Sequence, residues 1–179
     1  MDSNFGKLNH RIEIRPYELG ESISGFDCGK QWFNNFINTE QVANYRRNRL
    51  GRTKLVYFDG EFAAFFCLSP SSMESSDYDE QKTRHADELY DGPFDMPARL
   101  LGHLAVDLEF EGRGLGEYLV NHILADTIES DTPFRVVILH SHDDVTEFYQ
   151  KYGFVKASPN SERGADTTLM FYDIGKLPE

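Results

Sequence analysis

The sequence predicts a single mixed α/β domain, and three observations carry the prediction. Runs with period 2 alternate along the chain with runs whose apolar residues are spaced near 3.6. The two buried β-type runs, RLLGHLAVD at 99–107 and FRVVIL at 134–139, stand on either side of a helical pattern, in the order β-α-β. The chain has 179 residues, 40% hydrophobic and 27% charged. That length suits one ordinary domain whose core needs no disulfide or metal staple.

Each element follows in order. Residues 1–9 read as an N-terminal tail. Residues 10–17 (HRIEIRPY) alternate Ile12 and Ile14 with charged neighbours, which predicts a strand with one buried face ending at Pro16. A long helix is expected after Gly25-Phe26-Asp27, with Asp27 as its N-cap and Trp32, Phe33, Phe36, Ile37, Val42 and Tyr45 as its apolar stripe. Residues 54–58 and 61–68 are β-type runs around Asp59-Gly60, the signal of a type I′ hairpin. Residues 69–98 read as an acidic loop insertion with a short helix near 80–90, long for a compact domain. A strand at 99–107, a helix at 113–129, a strand at 134–139 and a short helix at 143–152 come next. The last helix has acidic residues in its first turn, where the dipole favours them. Strands at 154–156 and 167–172 close the domain, which spans 10–174, and 175–179 is a C-terminal tail. The predicted order is β-α-β-β-β-α-β-α-β-β.

Net charge is −12, from 18 basic and 30 acidic residues. That is the wrong sign for a chain that binds nucleic acid over its whole surface. The charge is uneven: residues 1–72 hold 9 basic and 8 acidic side chains, 73–97 hold 2 and 8, and 98–179 hold 7 and 14. Arg46, Arg47, Arg49, Arg52 and Lys54 fall within nine residues. This stretch is either a solvated helix end or a phosphate-contacting patch for a substrate or RNA. The longest apolar run, 62–68, is far short of the ~20 residues of a membrane span. The opening MDSNFGKLNH has no apolar core of a secretory signal, so a cytoplasmic protein with no membrane contact is expected. Cys28 and Cys67 alone build neither a disulfide framework nor a four-Cys zinc site. His140 and His142 lack a third placed ligand, so no metal site is expected.

The most informative segment is LGHLAVDLEFEGRGLG, residues 101–116. A buried strand runs into a glycine-rich turn, and a helix begins there. Consecutive backbone amides and the positive end of the helix form a cradle suited to a pyrophosphate. The P-loop ending Gly-Lys-Ser/Thr is missing, and the spacing G-x-G-x-G departs from the dinucleotide fingerprint. Taken alone, the turn is equally compatible with a tight strand-to-helix connection that holds no ligand.

Residues 99–107 followed by Glu111-Gly112-Arg113-Gly114-Leu115-Gly116 resemble motif A of the GCN5-related N-acetyltransferases (GNAT). Phe148-Tyr149-Gln150-Lys151-Tyr152-Gly153-Phe154 resembles the F-Y-x-x-x-G-F segment of the same family, with the 134–139 strand between the two motifs. The resemblance covers residues 10–174. It implies a mixed central sheet in which the 99–107 and 134–139 strands splay apart, flanking helices, and acetyl-CoA as acetyl donor. It implies that the backbone of Leu104, Ala105 and Val106 bonds the pantetheine arm. The turn formed by Glu111, Gly112, Arg113, Gly114, Leu115 and Gly116 would take the pyrophosphate, with Arg113 adding charge-assisted hydrogen bonds. Tyr149 would be the general acid for the departing CoA thiolate. Glu111 stands where the family usually has Gln or Arg, and His142 and Val145 where it usually has Asn and Ala.

Gly25-Phe26-Asp27-Cys28-Gly29, followed by a helix with Phe36, is similar to the opening of toxin-type acetyltransferases from toxin–antitoxin pairs. Likeness to that branch implies acetylation of the amino group of an aminoacyl-tRNA, a block of translation, and a ribbon-helix-helix antitoxin as partner. A homodimer is compatible with the sequence. Two other readings stay open: transfer to a small amine, polyamine or protein amine, which the acidic charge favours, and a non-catalytic module that binds acetyl-CoA or a partner. No general base stands out. His103, Asp107, Glu109 and His140 lie near the central strands, and a water or the substrate itself is the alternative.

Overall fold

The computed structural model describes residues 11–78, 95–158 and 167–175. The chain runs β1 (Ile12–Pro16), α1 (Gln31–Asn38), α2 (Gln41–Arg47), β2 (Arg52–Phe58), β3 (Glu61–Glu74), β4 (Asp95–Val106), α3 (Leu115–Ile128), β5 (Val136–Ser141), α4 (Thr146–Lys151), β6 (Val155–Lys156) and β7 (Thr168–Asp173). Short 3-10 turns lie at Ser75–Asp77, Leu108–Phe110 and Asp143–Val145. The strands form one seven-stranded sheet in the order β1-β2-β3-β4-β5-β7-β6. It is mixed: β4 pairs β5 in parallel, while β1–β2, β2–β3, β5–β7 and β6–β7 are antiparallel. The expected α/β class with flanking helices is therefore the observed one.

Two compact units make up the chain, Met1–Ser69 with Gly102–Leu119, and Pro70–Leu101 with Val120–Glu179. In the first, the β2–β3 hairpin turns through Asp59 and Gly60 at φ 51° and 87°, the positive values a type I′ turn requires. Leu55, Phe65, Cys67 and Ala105 present one buried face, and Phe36, Ile37, Val42 and Ala43 pack on it from α1 and α2. The single long helix expected over this segment is two helices. Thr39 is extended, with φ −129° and ψ −177°, and its hydroxyl donates to the carbonyl of Asn35 at 2.7 Å. The same oxygen accepts from the Gln41 amide at 3.3 Å. A short polar side chain that bonds its own backbone competes with the helical ladder, and here it wins. Asp27 is not the N-cap of α1. That position is Lys30, and the Asp27 carboxylate instead accepts from the Gly29 amide at 2.9 Å and the Asn34 side-chain amide at 2.7 Å.

In the second unit, Met96, Ala98, Val136, Ile138 and Phe171 form the core with Met73 and Tyr78. The parallel ladder joins Ala98 to Val136, Arg99 to Val137 and Leu100 to Ile138, three residues of each strand. The Arg135 guanidinium is paired at 3.0 Å with Asp173, which also accepts from the Tyr78 hydroxyl. Part of the expected acidic loop is strand: β3 continues to Glu74 and β4 begins at Asp95. Met73, Met96 and Ala98 are buried there, an alternation that the surrounding Ser, Pro and Asp residues mask in the sequence. The short helix expected near 80–90 lies outside the described residues, as do the N-terminal tail and 176–179. α3 begins at Leu115, because Gly114 at φ 81° still belongs to the turn. Among the described residues, no helix is long and apolar enough to cross a membrane, and no cluster of three His, Cys, Asp or Glu side chains could hold a metal ion.

Candidate active site

In the first unit, the end of β4 is fixed by Asp107. Its amide donates to the Ala63 carbonyl at 2.9 Å. One carboxylate oxygen accepts from the Asp27 amide at 2.9 Å and the other from the Glu109 amide at 3.0 Å. Both acceptor oxygens of this base candidate thus hold backbone. The chain then turns through Gly112 and Gly114 at φ 71° and 81°. A Cβ on Gly112 would meet nothing within 4 Å, so the demand for glycine there is conformational and leaves the space above the turn open. The first α3 amide to reach a backbone carbonyl is that of Tyr118, on Gly114 at 3.0 Å. The amides of Leu115 and Gly116 precede it with no backbone acceptor among the described residues, as donors of a helix N-terminus. Glu111 is exposed. The Arg113 guanidinium donates to the Glu109 carbonyl at 2.9 Å and lies 5.0 Å over the Phe110 ring. One bond out of five N–H donors leaves it able to take an anion.

Leu104 and Val106 are half-buried, and Ala105 between them is buried in the core. Their strand's register with β5 ends at Leu100, so the backbone of 104–106 is not committed to that ladder. His103, on the Ala105 side of the strand by alternation, stacks on Phe36 at 4.3 Å between ring centroids and 16° between planes. Its Nδ1 is buried with no hydrogen-bond partner among the described residues.

In the second unit, Tyr149 sits on α4 with its ring against Phe148 and Phe154, at 5.1 and 5.7 Å between centroids. Part of the ring stays exposed, yet the phenol lies deep enough that burial pushes its pKa up to about 12. Its hydroxyl has no hydrogen-bond partner among the described residues. Tyr152 packs on Phe148 at 5.0 Å under the Lys151 ammonium. His140 is exposed on β5, and His142 is the residue that opens the Asp143–Val145 turn.

The five cations of the basic stretch divide. Arg46 pairs with Glu18 at 3.0 Å, and Arg47 with Glu40 at 3.4 Å. Arg47 and Glu40 also line a cavity of about 420 Å³ with Tyr17 and Glu21, a feature the sequence reading missed. Arg49, Arg52 and Lys54 carry no ion pair among the described residues, the first two exposed and the third half-buried. The reading also missed the aromatic surroundings of His103. A signal was available, since Phe33 and Phe36 lie one turn apart on the helical stripe and His103 shares the strand parity of buried Ala105.

The sequence profile of the acetyltransferase (GNAT) domain matches residues 96–171. A curated relative, the tRNA-acetylating toxin of Mycobacterium tuberculosis (strain ATCC 25618 / H37Rv), is 24% identical over 137 residues, 75% of this chain and 78% of that one. The solved structure of AtaT complexed with acetyl-methionyl-tRNAfMet superposes with a TM-score of 0.73 at 19% identity, covering 90% of this chain and 94% of that chain. An AtaT mutant bound to acetyl-CoA and the C-terminus of the antitoxin AtaR gives 0.68 at 19% identity, covering 92% and 94%. At these identities the structural likeness establishes the fold. Residues 96–171 thus match the acetyltransferase (GNAT) domain, and the chain has the fold of these solved toxin structures.

Proposed function

We propose that the chain is an acetyl-CoA-dependent N-acetyltransferase that acetylates the amino group of an aminoacyl-tRNA and so acts as a toxin on translation. The observation that carries the first half is the Gly112–Gly116 turn, where open space, the amides of Leu115 and Gly116 and the Arg113 guanidinium meet at a helix N-terminus. These groups hold the pyrophosphate, and the uncommitted backbone of Leu104, Ala105 and Val106 holds the pantetheine arm. The donor supplies an acetyl thioester. The acceptor's neutral amine forms the N–C bond and sheds one proton to a base or to water, the C–S bond breaks, and Tyr149 gives its phenolic proton to the leaving thiolate. The aminoacyl-tRNA half rests on the relatives: a tRNA-acetylating toxin in sequence and a toxin holding an acetylated aminoacyl-tRNA in structure. The same likeness supports an antitoxin as partner; that it is of ribbon-helix-helix type and that the chain acts in the cytoplasm is our reading of the sequence. We read 10–174 as one functional domain.

Purified chain, radiolabelled acetyl-CoA and total charged tRNA test this directly. Label in RNA that disappears on deacylation is the expected result. A second reading, transfer to a small amine or polyamine, is favoured by the net charge of −12, which draws cations. CoA release on adding polyamines, with no label in RNA, would install that reading instead.

A further inference from the structure

The acetyl-transfer scheme leaves the proton acceptor of the attacking amine unassigned, and the first unit holds a histidine that packing alone does not explain. His103 lies in a sleeve of four aromatic rings. Phe36 stacks on it, and Phe33, Tyr45 and Phe65 stand at 5.5, 6.1 and 6.4 Å between centroids. Its Nδ1 is buried there with no hydrogen-bond partner among the described residues. A buried nitrogen without a partner is a net loss to the fold, and a phenylalanine would fill the same space without it.

We propose that His103 is the general base of the reaction, taking the amine's proton on Nε2. The inference rests on the N-acetyltransferase reading above. Of the two ring nitrogens, Nδ1 is the one buried without a partner among the described residues, which leaves Nε2 as the candidate acceptor. The face-to-face contact with Phe36 holds the ring in one orientation without an orienting carboxylate. The four rings packed on it from α1, α2 and β3 carry no charge, and the titratable one among them is the Tyr45 phenol, whose own pKa burial raises. Burial likewise pushes the His103 pKa down, so the imidazole is neutral with a lone pair available at neutral pH. His103 also stands one residue before Leu104, whose backbone is assigned to the donor's arm, with its side chain on the opposite face of the strand. The donor's arm follows the backbone edge that β5 leaves unpaired, so an amine held at His103 and the acetyl group would meet beside the same stretch of strand. As the amine nitrogen bonds the acetyl carbon, its proton passes to Nε2. The C–S bond then breaks and the thiolate takes the Tyr149 proton. Imidazolium and phenolate return to their starting forms through solvent.

The full-length chain with His103→Phe tests the proposal, alongside His103→Ala assayed with and without added imidazole. The rate constant kcat/KM for the acceptor is followed across pH, together with acetyl-CoA affinity and melting temperature. The expected result for His103→Phe is a loss of about 100-fold or more in kcat/KM, the usual worth of a general base. Acetyl-CoA affinity stays unchanged, and the protein melts at or above the wild-type temperature because the orphaned nitrogen is gone. The acid limb of the pH profile moves to that of the acceptor amine, and imidazole partly restores His103→Ala. A His103→Phe enzyme within threefold of wild type, with the same acid limb, would make His103 a packing residue and overturn the proposal while leaving the transferase reading intact. A wild-type chain that acetylates no amine would overturn both.

Discussion

At Gly51 a side chain would meet three atoms at under 3 Å, and Gly51→Ala tests how α2 is fastened to β3. Tyr45 on α2 hydrogen-bonds the Ser69 hydroxyl at 2.8 Å, and Ser69 donates to the Leu50 carbonyl at 2.6 Å. A Cβ on Gly51 would stand 2.3 Å from Ser69 Oγ, 2.7 Å from the Tyr45 hydroxyl and 2.8 Å from the Leu68 carbonyl oxygen. Ser69 Oγ can rotate away. The Tyr45 oxygen ends a rigid ring, and the Leu68 oxygen is backbone of the β2–β3 ladder. Relief therefore breaks both hydrogen bonds, at about 1 kcal/mol each. It also overpacks the site, at about 1–3 kcal/mol. The sum, about 3–5 kcal/mol, is a large part of the ~5–15 kcal/mol that ordinary domains possess. Urea denaturation followed by circular dichroism gives the difference from the shift in midpoint. Ser69→Ala removes the nearest clash and also both bonds, so the double variant should cost clearly less than the sum of the singles. A Gly51→Ala protein within about 0.5 kcal/mol of wild type, the range of an ordinary surface change, would refute the reasoning. Strict additivity of the two substitutions would refute it as well.

Three further outcomes follow from the site. Tyr149→Phe lowers kcat about 100-fold or more with acetyl-CoA affinity unchanged in a binding titration. Because burial holds the phenol near 12, the proton it donates is present throughout the working range and is lost only as pH rises through about 12. An alkaline limb near pH 9 that Tyr149→Phe abolishes would contradict this. Arg113→Gln weakens acetyl-CoA about tenfold, the worth of one charge-assisted hydrogen bond, with little change in melting temperature, and an unchanged affinity would detach Arg113 from the phosphates. Neutralising Arg49, Arg52 and Lys54 together removes a slope of about −2 to −3 in the dependence of log tRNA affinity on log salt, the value for three phosphates, and a retained slope would place the RNA elsewhere.

The sequence was most legible where local chemistry decides structure. Asp59-Gly60 announced a hairpin because few other pairs accept two positive φ values, and the glycines before Leu115 announced a turn for the same reason. The order of strands and helices followed from periodicity. It failed where a tertiary or side-chain contact overrides the local pattern. Thr39 breaks a continuous apolar stripe because its hydroxyl bonds Asn35, and a stripe carries no record of that bond. Asp27 has the composition of an N-cap, yet Asn34 and Gly29 claim its carboxylate first. Met73 and Met96 hide strand inside an acidic tract, because only every second residue there needs to be apolar. At the candidate site, the glycine turn and Tyr149 were visible as motifs. The sleeve around His103 was not, since its four rings come from α1, α2 and β3 and meet only through the sheet.

The acidic charge of the chain bears on the acceptor less than its size suggests. Charges screened over about 8 Å at physiological salt act locally, so what matters to an RNA is the potential at the surface it touches. Within the basic stretch that local count is itself reduced. Arg46 is paired with Glu18, and Arg47 with Glu40 in the lining of a cavity that Glu21 also lines. Three cations remain for phosphate. Three contacts supply modest, salt-sensitive affinity rather than tight capture, and they do not distinguish one tRNA from another. If the acceptor is the proposed aminoacyl-tRNA, selectivity must then arise where its aminoacyl end meets the strand that carries His103. An acceptor chosen by its amino acid, and only loosely held by its backbone, is what this distribution of charge supports.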